Sequence, residues 1–280
     1  MFLPSEYRWP HKLVTYLLLL IGIVIVAVPF LLMVSTSLKP QQYTFEYPPR
    51  LIPTEVTFSN YTRALAQDMF FRYFLNSLVV ALSTTALTVA ISASLAYAFA
   101  RLEFPGKQVL FYILLMGMMI PPVMLIIPQF LVAKSLKLLN TLAGLIVVYI
   151  AMNLPMQTFL LRGFFEGIPR DLEDSVRIDG GGRWTIFRHV ILPLSRPGLA
   201  TVAIFTFIYS WEEFPWAHVA IKETTRRTLP IAIALFQNQH LTQWGQVFAA
   251  SIVALIPIVT VFVALQRYFI RGISRTGLKG

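Results

Sequence analysis

Apolar residues fall in long uninterrupted blocks along this chain. Five stretches contain no Asp, Glu, Lys or Arg: 13–34, 73–100, 108–133, 138–161 and 246–266. A sixth, 197–221, is interrupted only by Glu212 and Glu213. A helix rises 1.5 Å per residue and the hydrocarbon layer of a bilayer is ~30 Å thick, so about 20 apolar residues suffice to cross. Each block is long enough. The pattern predicts an all-α integral membrane protein with six transmembrane helices, the 280 residues forming one membrane domain. An even number of spans puts both termini on one side.

The first block is too long for the core of a signal peptide, roughly 7–15 residues, and Ser35-Thr36-Ser37-Leu38 offers no small-residue cleavage site. It is expected to be a retained span. Pro29, Pro121, Pro122, Pro128, Pro155, Pro215 and Pro257 fall inside the blocks. Proline removes a helical N–H, and the freed backbone groups need partners in protein or in a wet cavity. Two readings stay open: kinked helices around a pathway, or the ordinary tolerance of spanning helices for proline. Ser83-Thr84-Thr85 and Ser92-Ala93-Ser94 give the second block a small, hydroxylated surface suited to close helix packing.

Composition supports the membrane reading. Charged residues make up 13% of the chain, about half of the roughly 25% usual in soluble domains. The net charge of +10 is spread over short loops, which argues for anionic lipid head groups and against nucleic acid. Residues 1–12, 101–107, 162–196 and 267–280 hold 14 Lys and Arg, against 9 in the intervening polar segments of nearly equal total length. The positive-inside rule then places both termini and the 162–196 loop in the cytoplasm.

Several chemistries are missing. With no cysteine, disulfides and thiolate metal sites are excluded. The histidines at 11, 189, 218 and 240 are scattered without metal spacing, and no G-x-x-x-x-G-K-[ST] phosphate loop or G-x-S-x-G elbow occurs. No catalytic residue, metal or cofactor is expected in this chain.

The 162–196 loop carries the densest local signals. Asp171 is expected to cap a short helix, with Glu173 and Asp174 in its first turn, where negative charge suits the helix dipole. Asp171 and Asp174 have capping-box spacing. Leu172, Ser175, Val176 and Asp179 share one predicted face, and Gly180-Gly181-Gly182 ends the helix. A second short helix should follow, with Trp184, Phe187 and Ile191 on one face and Pro193 and Pro197 closing it before the fifth span. A two-turn helix is marginal alone and needs a partner surface.

The run Asp174-Ser175-Val176-Arg177-Ile178-Asp179-Gly180 followed by Ile191-Leu192-Pro193 resembles the E-A-A…D-G…I-x-L-P loop of ATP-binding-cassette importer permeases. The likeness is greatest to the smaller permease subunit of maltose-type carbohydrate importers. Arg101-Leu102-Glu103-Phe104-Pro105-Gly106-Lys107, Trp211-Glu212-Glu213-Phe214, Trp244-Gly245 and the Lys-Gly terminus extend it over nearly the whole chain. The resemblance implies a permease subunit in a bacterial or archaeal cytoplasmic membrane, moving a sugar or oligosaccharide by alternating access. Its implied partners are an ATPase dimer that binds ATP and Mg, a second permease subunit and an extracytoplasmic solute-binding protein. It further implies that Glu173, Asp174, Ser175, Val176, Arg177, Ile178, Asp179 and Gly180 couple the spans to the ATPase. The family's Glu-Ala-Ala is Asp174-Ser175-Val176 here, so the docking surface departs from the usual one.

Glu212 and Glu213 are the acids inside a span. Trp211 lies 14 residues beyond Pro197, roughly 21 Å along a helix. A carboxylate at that depth is costly unless it faces a cavity or a partner. With Trp211, the pair is a candidate substrate pathway, acids to hydroxyls and indole to a sugar face. An aromatic belt with two wetted acids, or a contact with the sister permease, is the other reading. An ion-coupled secondary transporter, or an importer of another solute such as a glycerol phosphodiester, remains the alternative function. The first of these would ordinarily show internal repeats, which the sequence lacks.

Overall fold

In a computed structural model, residues 9–44, 46–48, 50–66, 69–236 and 242–276 are described. Among them there is no strand, and the helices are α1 (Trp9–Ser37), α2 (Ser59–Leu65), α3 (Phe70–Arg101), α4 (Lys107–Met116), α5 (Ile126–Ser135), α6 (Leu142–Glu166), α7 (Asp171–Ile178), α8 (Arg183–Ile186), α9 (Leu192–Leu194), α10 (Arg196–Glu212), α11 (Pro215–Ala220), α12 (Leu229–Leu235) and α13 (Trp244–Thr276). The all-α class holds.

Among the described residues, four helices are long and apolar enough to cross a membrane: 12–37, 70–101, 142–166 and 244–268. A fifth arises if the pair 183–194 and 196–212, bent by 75°, counts as one. The 108–133 block is not one helix. It divides into α4 and, after a 3-10 turn at Pro122–Leu125, α5. The Pro121-Pro122 pair explains the break: neither residue donates an N–H, and each disfavours helical geometry in the residue before it. The 197–221 block also divides, between α10 and α11, where Glu213 is extended and Pro215 restarts the helix. By contrast, Pro29, Pro155 and Pro257 lie inside unbroken helices.

Helix ends follow local chemistry. The α6 helix starts at Thr141, whose hydroxyl accepts from the Gly144 amide at 3.0 Å. It runs one turn past the apolar block to Glu166, helped by an i,i+4 pair between Arg162 and Glu166 at 2.7 Å.

The chain divides into two compact units. In the first (1–68 and 233–253), Asn60 is the organising residue. Its amide donates to the Ser37 and Lys39 carbonyls at 2.9 and 2.8 Å. Gly245 lies against it so closely that a Cβ would come within 2.5–2.9 Å of the amide group. The buried Lys39 ammonium is 2.8 Å from Glu46 and donates to the Arg50 carbonyl.

In the second unit (69–232 and 254–280), α3, α6 and α10 pack together. Of the small and hydroxylated residues marked on the second block, Thr84, Ser92 and Ala93 are buried along α3, joined by Thr88 and Ala96, whereas Ser83 and Thr85 are half-buried and Ser94 is exposed. One cluster joins Tyr97, Leu161, Phe165, Ile186, Phe187, Ile191 and Val202, and another joins Val80, Leu145, Tyr149, Trp216 and Ala217. Gly198 lets α10 approach α6, since a Cβ there would meet the Phe164 ring at 2.7 Å.

Candidate functional site

Two features of the second unit bear on function: the 167–196 connection and the break in the fifth apolar block.

The short helix exists as α7, but its start and its faces differ from expectation. Arg170 already has helical dihedrals and occupies the cap position, with no side-chain cap bond. Asp171 is therefore the first helical residue, and the capping box does not form. The inward face carries Glu173, which is buried, and Val176, which packs against the Tyr97–Phe165 cluster. Leu172, Ser175 and Asp179 are exposed, so the predicted shared face is split. A carboxylate turns inward because it has a cation to meet. Arg101 Nε lies 2.8 Å from Glu173 Oε1, with both side chains under 5% exposed. The approach lies off the N–H axis, so charge rather than a directed hydrogen bond holds the pair. The same guanidinium donates to the Phe165 and Ile168 carbonyls at the end of α6, at 2.6 and 2.5 Å.

The outward face carries Asp174, Arg177 and Ile178. Arg177 pairs with Asp174 at 2.6 Å and reaches Glu173 at 3.5 Å. Ile178 is 86% exposed. The glycines end the helix as expected. Gly180 has φ +80, its amide donates to the Arg177 carbonyl, and the Gly181 amide donates to Val176 at 2.8 Å. This is the Schellman pattern. Gly181 is required as well, since a Cβ would sit 2.4 Å from a Val176 methyl.

The second helix departs further. Past α8 the chain widens into a π turn over Phe187–Ile191 and continues through Pro193 into α9. The helix ends at Ser195, between Pro193 and Pro197, where the chain bends by 75° into α10. A π turn relieves the clash between a proline ring and the carbonyl four residues back. Phe187 and Ile191 are buried, but Trp184 is 68% exposed and does not share their burial.

At the break in the fifth block, a cavity of about 290 Å³ is lined by Pro122, Val123, Ile126, Gln129, Met152, Tyr209, Glu212, Glu213, Phe214, Pro215 and Trp216. Glu212 and Glu213 line it together; Trp211 does not. Trp211 is 2% exposed, stacks on Phe207, meets Phe74 edge-on, and donates its indole N–H to the Ala254 carbonyl at 3.0 Å. It is a packing residue between α10 and α13. Glu213 is fully engaged. It accepts from the Tyr149 hydroxyl at 2.5 Å and from the Trp216 and Ala217 amides at 2.7 and 3.0 Å. It thus supplies the acceptors that the first amides of α11 lack within their own helix. Glu212 is exposed to the cavity. Gln129 Oε1 and Trp216 Nε1 are buried without a hydrogen-bond partner among the described residues.

Sequence reasoning missed Arg101, Tyr149 and Gln129 as site residues. Arg101 stood in a quoted motif without a role. Tyr149 and Gln129 sit in charge-free blocks, where nothing local marks them.

Long apolar helices, with polar groups buried along α3 and α6 in the second unit, define an α-helical protein of membrane-spanning character. Residues 88–275 match the family described as binding-protein-dependent transport system inner membrane component, and the chain belongs to that family. It is an importer permease of the ATP-binding-cassette type, located in the inner membrane. It is 35% identical to the diacetylchitobiose uptake system permease protein DasC of Streptomyces coelicolor, over 97% of each chain. Identity to the trehalose transport system permease protein SugB of Mycobacterium tuberculosis is 38%, over 90% of this chain and 92% of that one. Among solved structures, a bacterial transporter involved in import of the acidic polysaccharide alginate shares the fold. It has a TM-score of 0.79 at 23% identity, covering 96% of this chain and all of that one.

Proposed function

We propose that this permease moves a sugar or oligosaccharide inward by alternating access. Its partners in that reading are an ATPase dimer, a second permease subunit and an extracytoplasmic solute-binding protein. The observation that carries the reading is near end-to-end similarity to permeases named for diacetylchitobiose and trehalose uptake. The cavity beside Glu212 supports it, because an exposed carboxylate among aromatic walls suits hydroxyl groups and a sugar face.

In this reading α7 is the coupling helix. Leu172, Asp174, Ile178 and Asp179 form the docking face toward the ATPase, while Glu173 and Val176 hold the helix to the bundle. The broken pair α4–α5 completes six spans, and the Lys and Arg bias places both termini in the cytoplasm. ATP and Mg belong to the ATPase partner.

The test is reconstitution of the complex with its ATPase, second permease and binding protein in sealed vesicles, followed by uptake of labelled trehalose and diacetylchitobiose. Accumulation is expected only with both ATP and the binding protein. Uptake driven by an ion gradient without ATP would replace this reading with a secondary transporter.

A further inference from the structure

The α7 helix is eight residues long and could roll or slide on the bundle when a partner pulls on it. Its apolar anchor is slight, since Val176 is only half-buried. What ties it down is the contact between Glu173 and Arg101.

We propose that Arg101 is a positioning residue of the transport cycle, the joint through which displacement of α7 reaches α3 and α6. The proposal rests on the coupling reading above. Three elements meet at this one guanidinium. Arg101 is the last residue of α3, its Nε faces Glu173 of α7, and its terminal nitrogen holds the Phe165 and Ile168 carbonyls. Phe165 lies in the last turn of α6 and Ile168 follows it, so the cation also sits at the negative end of that helix's dipole. A lysine could not replace the fork, because one ammonium cannot present nitrogens in several fixed directions.

Burial gives the joint its stiffness. Both side chains are almost sealed from solvent, and pulling α7 away would leave the Arg101 cation without its carboxylate beside an apolar cluster. Separation is therefore resisted. Rotation is less constrained on this side, because Oε1 makes no directed hydrogen bond to Arg101, and the other oxygen accepts only from Arg177, at 3.5 Å and within α7 itself. A contact that resists separation and tolerates a change of angle transmits displacement while α7 adjusts to its partner. On the outer side, Arg177 bridges Glu173 and Asp174, so the docking face and the joint share one chain of charges. A second tether runs parallel, from the Tyr97 hydroxyl to the Arg183 carbonyl at 3.1 Å.

The chain contains no cysteine, so spin labels can be placed on it before assembly without background from its own thiols. Labels at Asp171→Cys on α7 and Ser94→Cys on α3, both exposed positions, would report their separation in the assembled importer with and without ATP. With Arg101 present, the distance distribution should stay narrow and unchanged when ATP is added. Arg101→Met should broaden or shift it on ATP addition, and should cut binding-protein-stimulated ATP hydrolysis at least fivefold. Because a lone buried carboxylate is itself costly to the fold, the double variant Arg101→Met, Glu173→Met is the second arm. It should restore assembly yield, since no buried charge is orphaned, yet keep the loose distance and the poor stimulation. A double variant with wild-type distances and stimulation would overturn the proposal, as would Arg101→Met that assembles and shows no slip. Failure of the coupling reading would look different: the ATPase would be missing from the purified wild-type complex, which overturns both.

Discussion

Glu213 shows how a single side chain changes meaning once its partners are known. By sequence it is a costly acid inside a span and a candidate for substrate contact. In the fold its two oxygens are spent on Tyr149, Trp216 and Ala217, and it caps the restarted helix. Glu213→Ala should therefore lower stability by about 1–3 kcal/mol through the amides it orphans. Glu212→Gln, at the cavity-facing acid, should leave stability within about 0.5 kcal/mol, as for an ordinary exposed substitution. Thermal unfolding of the purified chain separates the two, and the reverse ranking would refute the cap. Tyr149 lies 64 positions from Glu213, a separation that no local pattern bridges. Glu223 gives a pH-dependent counterpart. The Thr225 hydroxyl first, and then Arg226 and other nearby groups, hold its carboxyl below the usual carboxylate range. A depressed value means stabilisation that is present at neutral pH and lost as pH falls through the folded-state value. Glu223 also accepts from Asn140, whose side-chain oxygen receives the Lys222 and Glu223 amides. Exchange of those two amides should stay slow near neutrality and quicken, beyond the intrinsic pH trend, once pH drops below that range.

At the scale of elements, α7 was legible in outline because its signals are local: acids at the start, glycines at the end. Gly180 does what the sequence implies, at φ +80, where an L side chain costs about 1–2 kcal/mol. Gly180→Ala should lower stability by that amount without altering the exposed face. The orientation of the helix was not legible, because it depends on Arg101, 72 positions before Glu173. Periodicity grouped Leu172 with Val176 on one face, but the buried Arg101 cation turns Glu173 inward instead. If α7 is the coupling helix, Asp174→Lys on its outer face should abolish ATPase co-purification while the chain still inserts. Unchanged co-purification would remove Asp174 from the docking face. The π turn before Pro193 was invisible for a related reason: sequence marks where proline disturbs a helix, not whether the helix ends or widens.

For the whole molecule, the apolar blocks located the membrane segments but could not count helices. Length and hydropathy describe a stretch of chain, whereas continuity depends on what proline does to each backbone. Pro155 passes through an unbroken α6, while Pro121-Pro122 and Pro215 divide their blocks. Two paths for 107–135 follow. If α4 and α5 together cross the bilayer, residues 101–107 and 134–137 lie on opposite sides. If they form a re-entrant excursion, both lie on the same side and the termini fall on opposite faces. The distribution of Lys and Arg favours the crossing, since 101–107 belongs with the basic set and 134–137 with the other. The absence of cysteine makes this measurable. Thiol labelling of whole cells by a membrane-impermeant reagent should modify Leu136→Cys, an exposed position, from outside. Exposed Glu103→Cys and Arg188→Cys should react only after the membrane is opened. Labelling of Leu136→Cys and Glu103→Cys from the same side would establish the re-entrant path. It would also require the coupling assignment of 162–196 to be rebuilt from the side on which Arg188→Cys is then found.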